Sequence, residues 1–186
     1  ELADRLTMAG LEVDSIEDRY AWLNTVRVGR VLTVDPHPRA DRLKLCRVDA
    51  GDRTVQVVCG APNVAPGMLA PLALPGTLFP SGRRLETGII RGETSDGMLC
   101  SEAELELGSD ASGILALNDR NDTVAVGDPL PQALRLSDAS LEIDLTPNRP
   151  DCLSLLGVAR EIGFFQGLRI TRPAIRLPEG DRKSVV

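Results

Sequence analysis

Residues 26–59 read VRVGRVLTVDPHPRADRLKLCRVDAGDRTVQVVC, and this stretch decides the fold. It holds three candidate strands, Val26 to Val34, Leu43 to Val48 and Val55 to Cys59, separated by a proline-bearing loop and by Asp49-Ala50-Gly51-Asp52. Two more candidates follow, Met68 to Leu74 and Gly88 to Arg91, among the turn signals Gly60-Ala61-Pro62-Asn63, Leu74-Pro75-Gly76 and Pro80-Ser81-Gly82. From residue 24 to 136 no convincing long helical pattern appears, and the segment reads as β throughout. Short strands joined by Gly- and Pro-rich turns point to a small closed barrel, which removes exposed sheet edges. An OB-type barrel is the expectation, with a sandwich as the second choice.

Outward from this segment the two ends of the chain mirror each other. Leu2, Leu6 and Ala9 form one helical stripe, Gly10 ends it, and Leu11, Val13 and Ser15 then alternate with Glu12 and Asp14 as a strand. At the far end Leu141, Ile143 and Leu145 alternate with Glu142, Asp144 and Thr146. A helix is expected to start near Pro150-Asp151, with a stripe of Cys152, Leu155, Leu156, Ala159 and Ile162, and with Gly167 just past its end. The fold class is therefore α+β with mainly β content: an OB-type barrel (24–136) inserted in a small discontinuous α+β domain (1–23 and 137–186). Glu1 already lies inside a helical pattern and Lys183-Ser184-Val185-Val186 has no capping element, so the chain reads as a piece of a longer protein.

Composition narrows the function. The 186 residues carry 21 Lys plus Arg against 27 Asp plus Glu, a net charge of -6, so the whole chain is not a polycation for nucleic acid and any such contact must be local. The only histidine is His37, which removes most His-based catalysis and a His-rich zinc site. Cys46, Cys59, Cys100 and Cys152 are widely spaced without a CxxC pair, which favours a reduced, cytoplasmic compartment. No run of about 20 apolar residues occurs, so no membrane span is expected. Charge is uneven: Arg27, Arg30, Arg39, Arg42, Lys44 and Arg47 face only Asp35 and Asp41, whereas Glu102, Glu104, Glu106, Asp110, Asp119, Asp122 and Asp128 face Arg120 alone.

The motifs divide into presenters and architecture. Two prolines stiffen Asp35-Pro36-His37-Pro38-Arg39-Ala40-Asp41-Arg42-Leu43 and would hold Arg39, Arg42 and Lys44 at fixed positions, as phosphate contact requires; solvated arginines on a structural loop are the plainer alternative. Cys59 has no base nearby and reads as a small buried residue, with Gly60 and Asn63 serving the turn after it. In Arg91-Gly92-Glu93-Thr94-Ser95-Asp96-Gly97-Met98-Leu99-Cys100-Ser101 the glycines Gly92 and Gly97 permit tight turns, and neither a Walker loop nor a GxGxxG fingerprint is present. Glu102, Glu104 and Glu106 make a solvated acidic face rather than a metal cage. Thr146-Pro147-Asn148-Arg149-Pro150-Asp151 makes a rigid corner in which Pro147 and Pro150 fix the backbone and Asn148 or Asp151 caps the helix. The aromatics are Tyr20, Trp22, Phe79, Phe164 and Phe165, too few in the barrel for stacking successive bases, so any RNA would be held by shape and phosphate.

Taken in order, these motifs resemble the N-terminal region of the bacterial phenylalanyl-tRNA synthetase beta chains. The blocks are His37-Pro38-Arg39-Ala40-Asp41-Arg42-Leu43, Val58-Cys59-Gly60-Ala61-Pro62-Asn63, Arg91 to Glu102, Thr146 to Ser154 and Gly157-Val158-Ala159-Arg160-Glu161. The first three alone resemble the wider group of tRNA-binding OB modules; the Cys-Gly-Ala-Pro-Asn block and above all the Thr-Pro-Asn-Arg-Pro-Asp-Cys-Leu-Ser block single out the beta chain. The resemblance implies tRNA as partner, an alpha chain in an α2β2 assembly, and ATP and magnesium used by the parent enzyme. It implies no catalytic residue, no metal site, no cofactor and no DNA contact in this stretch, since the aminoacylation site is on the alpha chain and the editing region lies beyond it. The expected tRNA contacts are Arg39, Arg42, Lys44 and Arg91. The alternatives are a structural spacer with little tRNA contact, favoured by the net charge, or a free-standing tRNA-binding module.

Overall fold

The structure is a computed structural model that describes residues 1–118 and 124–174. Its elements are α1 (Leu2–Met8), β1 (Leu11–Asp18), a 3-10 turn (Ala21–Thr25), β2 (Val26–Pro36), β3 (Lys44–Asp49), β4 (Thr54–Cys59), β5 (Leu69–Ala73), β6 (Gly88–Ile90), β7 (Glu93–Ser95), β8 (Met98–Leu99), α2 (Leu130–Leu134), β9 (Ala139–Leu145), a second 3-10 turn (Pro150–Cys152) and α3 (Leu155–Gln166). Internal contacts divide the chain into two units, Asp18–Ala139 on one hand and Glu1–Glu17 with the chain from Ser140 on the other. The 3-10 turn after β1 goes with the first of these because Leu23 is fully buried there beside Val26, Phe79 and Leu130.

The larger unit is a five-stranded antiparallel sheet in the order β4-β3-β2-β5-β8. The long strand β2 serves two partners: its first half pairs with β5 from Val26↔Ala73 to Arg30↔Leu69, its second half with β3 from Arg30↔Asp49 to Pro36↔Lys44. A register shift between Val31 and Thr33 bends it between the two. Val31, Cys46, Val48, Val57 and Leu72 then converge on a core that excludes water almost completely. Alternation of buried and exposed residues along β4, with Val55, Val57 and Cys59 inward, matches one face on a core and one in water.

Closure comes from β7 and the short stretch that follows it. Met98 and Leu99 pair with β5, while three hydrogen bonds join the preceding residues to β4: Asp96 N–H to the Gln56 carbonyl (2.8 Å), Gln56 Nε2 to the Thr94 carbonyl (2.9 Å), and Val58 N–H to Ser95 Oγ (3.1 Å). The buried Ser95 hydroxyl in turn donates to the Gly97 carbonyl (3.0 Å). Gly97 is therefore a point of close approach rather than a left-handed turn: a Cβ there would sit 3.0 Å from the Ala73 carbonyl. The structure corrects the reading of residues 24–136 as β throughout, because α2 forms after Pro129 and buries Leu130 and Ala133. Five residues are too few for a helical period to show in sequence.

In the smaller unit β1 pairs with β9, and Leu6, Leu11 and Cys152 form the buried centre with Val158, Ile162 and Phe165 against them. Arg149 organises it. Its guanidinium donates to the Ala9 carbonyl (2.6 Å), to both oxygens of Asp151 (3.1–3.2 Å) and to Glu161 (2.9 Å). That engagement removes Asp151 as a helix cap, and the cap is Ser154, whose Oγ accepts from Gly157 N–H (3.2 Å). The helix consequently starts at Leu155, later than expected, and Cys152 is not on it. The stripe shifts accordingly: Leu155 is 91% exposed while Val158, Ile162 and Phe165 face the core. Gly167 ends the helix in the left-handed conformation, φ 65°.

Two tests follow from these bonds. Ser95→Ala removes an acceptor from the Val58 amide and a donor from the Gly97 carbonyl inside the barrel, and should cost about 1–3 kcal/mol of stability in urea denaturation with the slope unchanged. In the smaller unit, the Arg149 guanidinium holds the Asp151 carboxyl down at about 2. Because this lies below the unfolded value near 3.9, the pairing contributes in full above that value and is lost as pH falls through about 2. An acid titration followed by NMR should show Leu6 and Leu11 methyl signals losing dispersion over that window, and Asp151→Asn should remove the dependence.

Candidate nucleic-acid interface

The loop between β2 and β3, residues 37–43, is closed at its base by the Pro36↔Lys44 pair and by His37 N–H donating to the Leu43 carbonyl (3.1 Å). Its prolines flank His37, which points inward and is 95% buried. Arg39 N–H donates to His37 Nδ1 (3.1 Å), so Nδ1 is the acceptor and the ring hydrogen is on Nε2, which donates to the Ile90 carbonyl (3.2 Å). The one histidine is thus a staple between this loop and the β6–β7 hairpin, which sits in the connection from β5 to β8. In OB barrels these two connections border the binding face.

The hairpin turns on Arg91 and Gly92 with φ of 53° and 91°, close to a type I′ turn, in the register Ile90↔Glu93. The positive φ at Gly92 favours glycine, and the Arg39 guanidinium lies directly over its α-carbon. Arg39 and the hairpin tip that carries Arg91 are thereby brought side by side. Arg42 is exposed on the same loop as Arg39, and Lys44 is half-buried at the start of β3 with its Nζ on the Pro62 carbonyl (3.3 Å). Among the described residues none of these four cations is in an ion pair, whereas Arg5, Arg19, Arg27 and Arg149 all are.

The other singled-out residues have structural places. Asn63 does more than serve a turn: its side-chain amide clamps the backbone of Ile114, donating to the carbonyl (2.8 Å) and accepting from the N–H (2.9 Å). Gly60 follows Cys59, which is buried at the end of β4. Pro147 and Asn148 precede Arg149 at the corner, with Arg149 N–H on the Thr146 carbonyl (2.9 Å), and Pro150 opens the 3-10 turn. In the acidic stretch, Glu104 accepts from the Ser101 amide and hydroxyl and Asp110 from the Ser112 amide; hydrogen bonds from Ser112 hold the Asp110 carboxyl below its ordinary value. Asp119, Arg120 and Asp122 lie outside the described residues. Phe79 is buried against Trp22 at 5.7 Å between centroids, so neither ring is a base-stacking platform.

Sequence reasoning missed His37 and Ser95 as the residues that fix this interface. Their partners are main-chain groups tens of residues away, and only the placement of His37 between two prolines hinted at a constrained ring.

The fold and the paired loops define an OB-type module. Residues 26–127, more than half of the chain, match the family described as putative tRNA binding domain, and the chain belongs to that family. It is similar to the phenylalanine–tRNA ligase beta subunit of Pseudomonas fluorescens, 46% identical over 94% of this chain and 22% of the relative. It is equally similar to that of Desulfotalea psychrophila, 46% identical over 98% of this chain and 21% of the relative. The chain thus spans about a fifth of the length of these relatives. Among solved structures, a MetRS related protein from Pyrococcus horikoshii aligns with TM-score 0.40 at 20% identity, over 55% of this chain and 85% of that one.

Replacing His37 with Ala should free the loop without changing its charge. Amide hydrogen exchange at Arg39 and at the β6–β7 hairpin should accelerate by at least about tenfold, since a lost bond of about 1.4 kcal/mol is a factor of ten in opening.

Proposed function

We propose that this chain is the non-catalytic RNA-binding and assembly portion of a phenylalanine–tRNA ligase beta subunit, touching tRNA phosphates through Arg39, Arg42, Lys44 and Arg91. The observation that carries the reading is the stapled pair of loops presenting four cations with no counter-ion among the described residues, in a chain whose surplus charge is negative. Holding arginines on a stiff loop reduces the ordering cost of contact, and phosphate then replaces water rather than a carboxylate. In this reading the parent joins phenylalanine to tRNA in the cytoplasm, with an alpha chain as partner in an α2β2 assembly, and its ATP and magnesium chemistry resides outside this stretch.

Among the described residues the one cluster of possible metal ligands does not suit magnesium. Asp151, Cys152 and Glu161 bring three ligand atoms within 4.8 Å of one another, but the Arg149 guanidinium already fills that position at 2.9–3.1 Å. A hard cation would have to displace it and accept a thiol, which it disfavours. No helix among the described residues is long and apolar enough to cross a membrane. A free-standing module is disfavoured because the similarity to beta subunits runs through the smaller unit as well as the barrel.

One observation supports the spacer alternative: the net charge of -6 opposes association with a polyanion. A tRNA titration across salt separates the two. Phosphate contact should give a log–log slope of about -0.7 to -0.9 for each contact, and the Arg39→Glu, Arg42→Glu, Arg91→Glu triple variant should flatten it by about 2 to 3. Binding that is indifferent to salt and to the variant would leave the spacer.

A further inference from the structure

Two of the sequence blocks, Val58 to Asn63 and Met98 to Glu102, have no part in the cationic loops, yet the fold brings them together as walls of one cavity of about 590 Å³ in the barrel unit. That volume lies within the range of ligand-binding clefts. Its lining includes the apolar Cys59, Pro62, Met98, Leu99 and Ile114 and the polar Ser101 and Ser112, and its one charged residue is Glu104. The walls are fixed: Asn63 clamps Ile114, Leu115 N–H donates to the Cys100 carbonyl (3.1 Å), and Ala103 N–H donates to the Asp110 carbonyl (3.1 Å). Glu104 is fixed as well, with Oε2 accepting from the Ser101 amide (2.8 Å) and hydroxyl (2.9 Å), which leaves Oε1 unshared. Lys44 marks the rim, because its Nζ rests on the carbonyl of Pro62, a wall residue.

We propose that this cavity receives an unstacked guanine base of the bound RNA, with the Glu104 carboxylate accepting its Watson–Crick-edge N–H groups and Lys44 at the adjoining phosphate. An apolar lining suits a base face, as in single-stranded RNA recognition by splayed bases. A carboxylate is an acceptor only, and guanine alone among the four bases offers two adjacent N–H donors on that edge. The same carboxylate repels a bare phosphate, so the cavity is selective for the base and not a second anion site. The inference rests on the RNA-contact reading and shares with it only Lys44.

Cys59 reports on the cavity from within. A hydrogen bond from Cys46 holds the Cys59 thiol below its ordinary pKa, while burial pushes Cys100 up to about 12, so Cys59 should alkylate first. Iodoacetamide labelling of the intact chain, read by mass spectrometry, would be run with GMP, AMP, CMP, UMP or inorganic phosphate at about 10 mM. With a Kd near 1 mM, GMP should slow Cys59 labelling about tenfold, the other nucleotides far less and phosphate not at all. Glu104→Gln should erase the preference for GMP while keeping the Ser101 contacts. Absence of nucleotide protection, equal protection by all four, or protection by phosphate alone would each overturn the proposal. The Arg39→Glu, Arg42→Glu, Arg91→Glu variant keeps the two readings apart: it should lose tRNA affinity while GMP still protects Cys59.

Discussion

The closure of the barrel by residues 94–99 is the constraint on which the rest of the larger unit depends. Six residues touch both edges of an otherwise open sheet, with β4 bonded to Thr94, Ser95 and Asp96 and β5 paired with Met98 and Leu99. Without them the open four-stranded sheet β4-β3-β2-β5 would leave two rows of main-chain donors and acceptors for solvent or another chain. Closure also decides where the preceding hairpin projects, and hence where Arg91 stands beside Arg39. The buried hydroxyl of Ser95 is the smallest group able to accept from one strand and donate to the turn beside it.

What the sequence revealed followed from the length and locality of each signal. Seven strands, β1 to β6 and β9, could be read because each carries an apolar alternation or run, or is bracketed by turn signals. β7 and β8 could not, since strands of three and two residues are held by partners outside the local pattern. The last helix was legible as a helix and misread as to its face. Counting the stripe from Cys152 assumed that Asp151 caps the helix, whereas Arg149 takes that carboxylate for a bridge reaching residues 9 and 161. Of the interface, the cations were legible as a cluster; the histidine that positions them was not, because both of its partners are backbone groups.

Charge is used in two distinct ways in the molecule. In the smaller unit it is spent internally, one arginine against two carboxylates and a carbonyl. On the barrel the cations of the loop and hairpin stay unpaired while nearby carboxylates satisfy turn amides of their own stretch. The uneven charge read along the chain therefore corresponds to two kinds of work, backbone satisfaction by acids and presentation by bases.

The Arg149–Ala9 bond has a consequence for the order of assembly. It joins residues 140 apart, with the complete barrel lying between them in the chain. During synthesis from the N-terminus, every strand of the barrel emerges before Arg149 does, whereas α1 and β1 must wait without their partners. The barrel is the first unit able to fold, and by shortening the distance between its own ends it lowers the loop-closure entropy for bringing residue 9 to residue 149. A guanidinium that looks like local architecture thus closes a long loop that the inserted module, once folded, has already shortened.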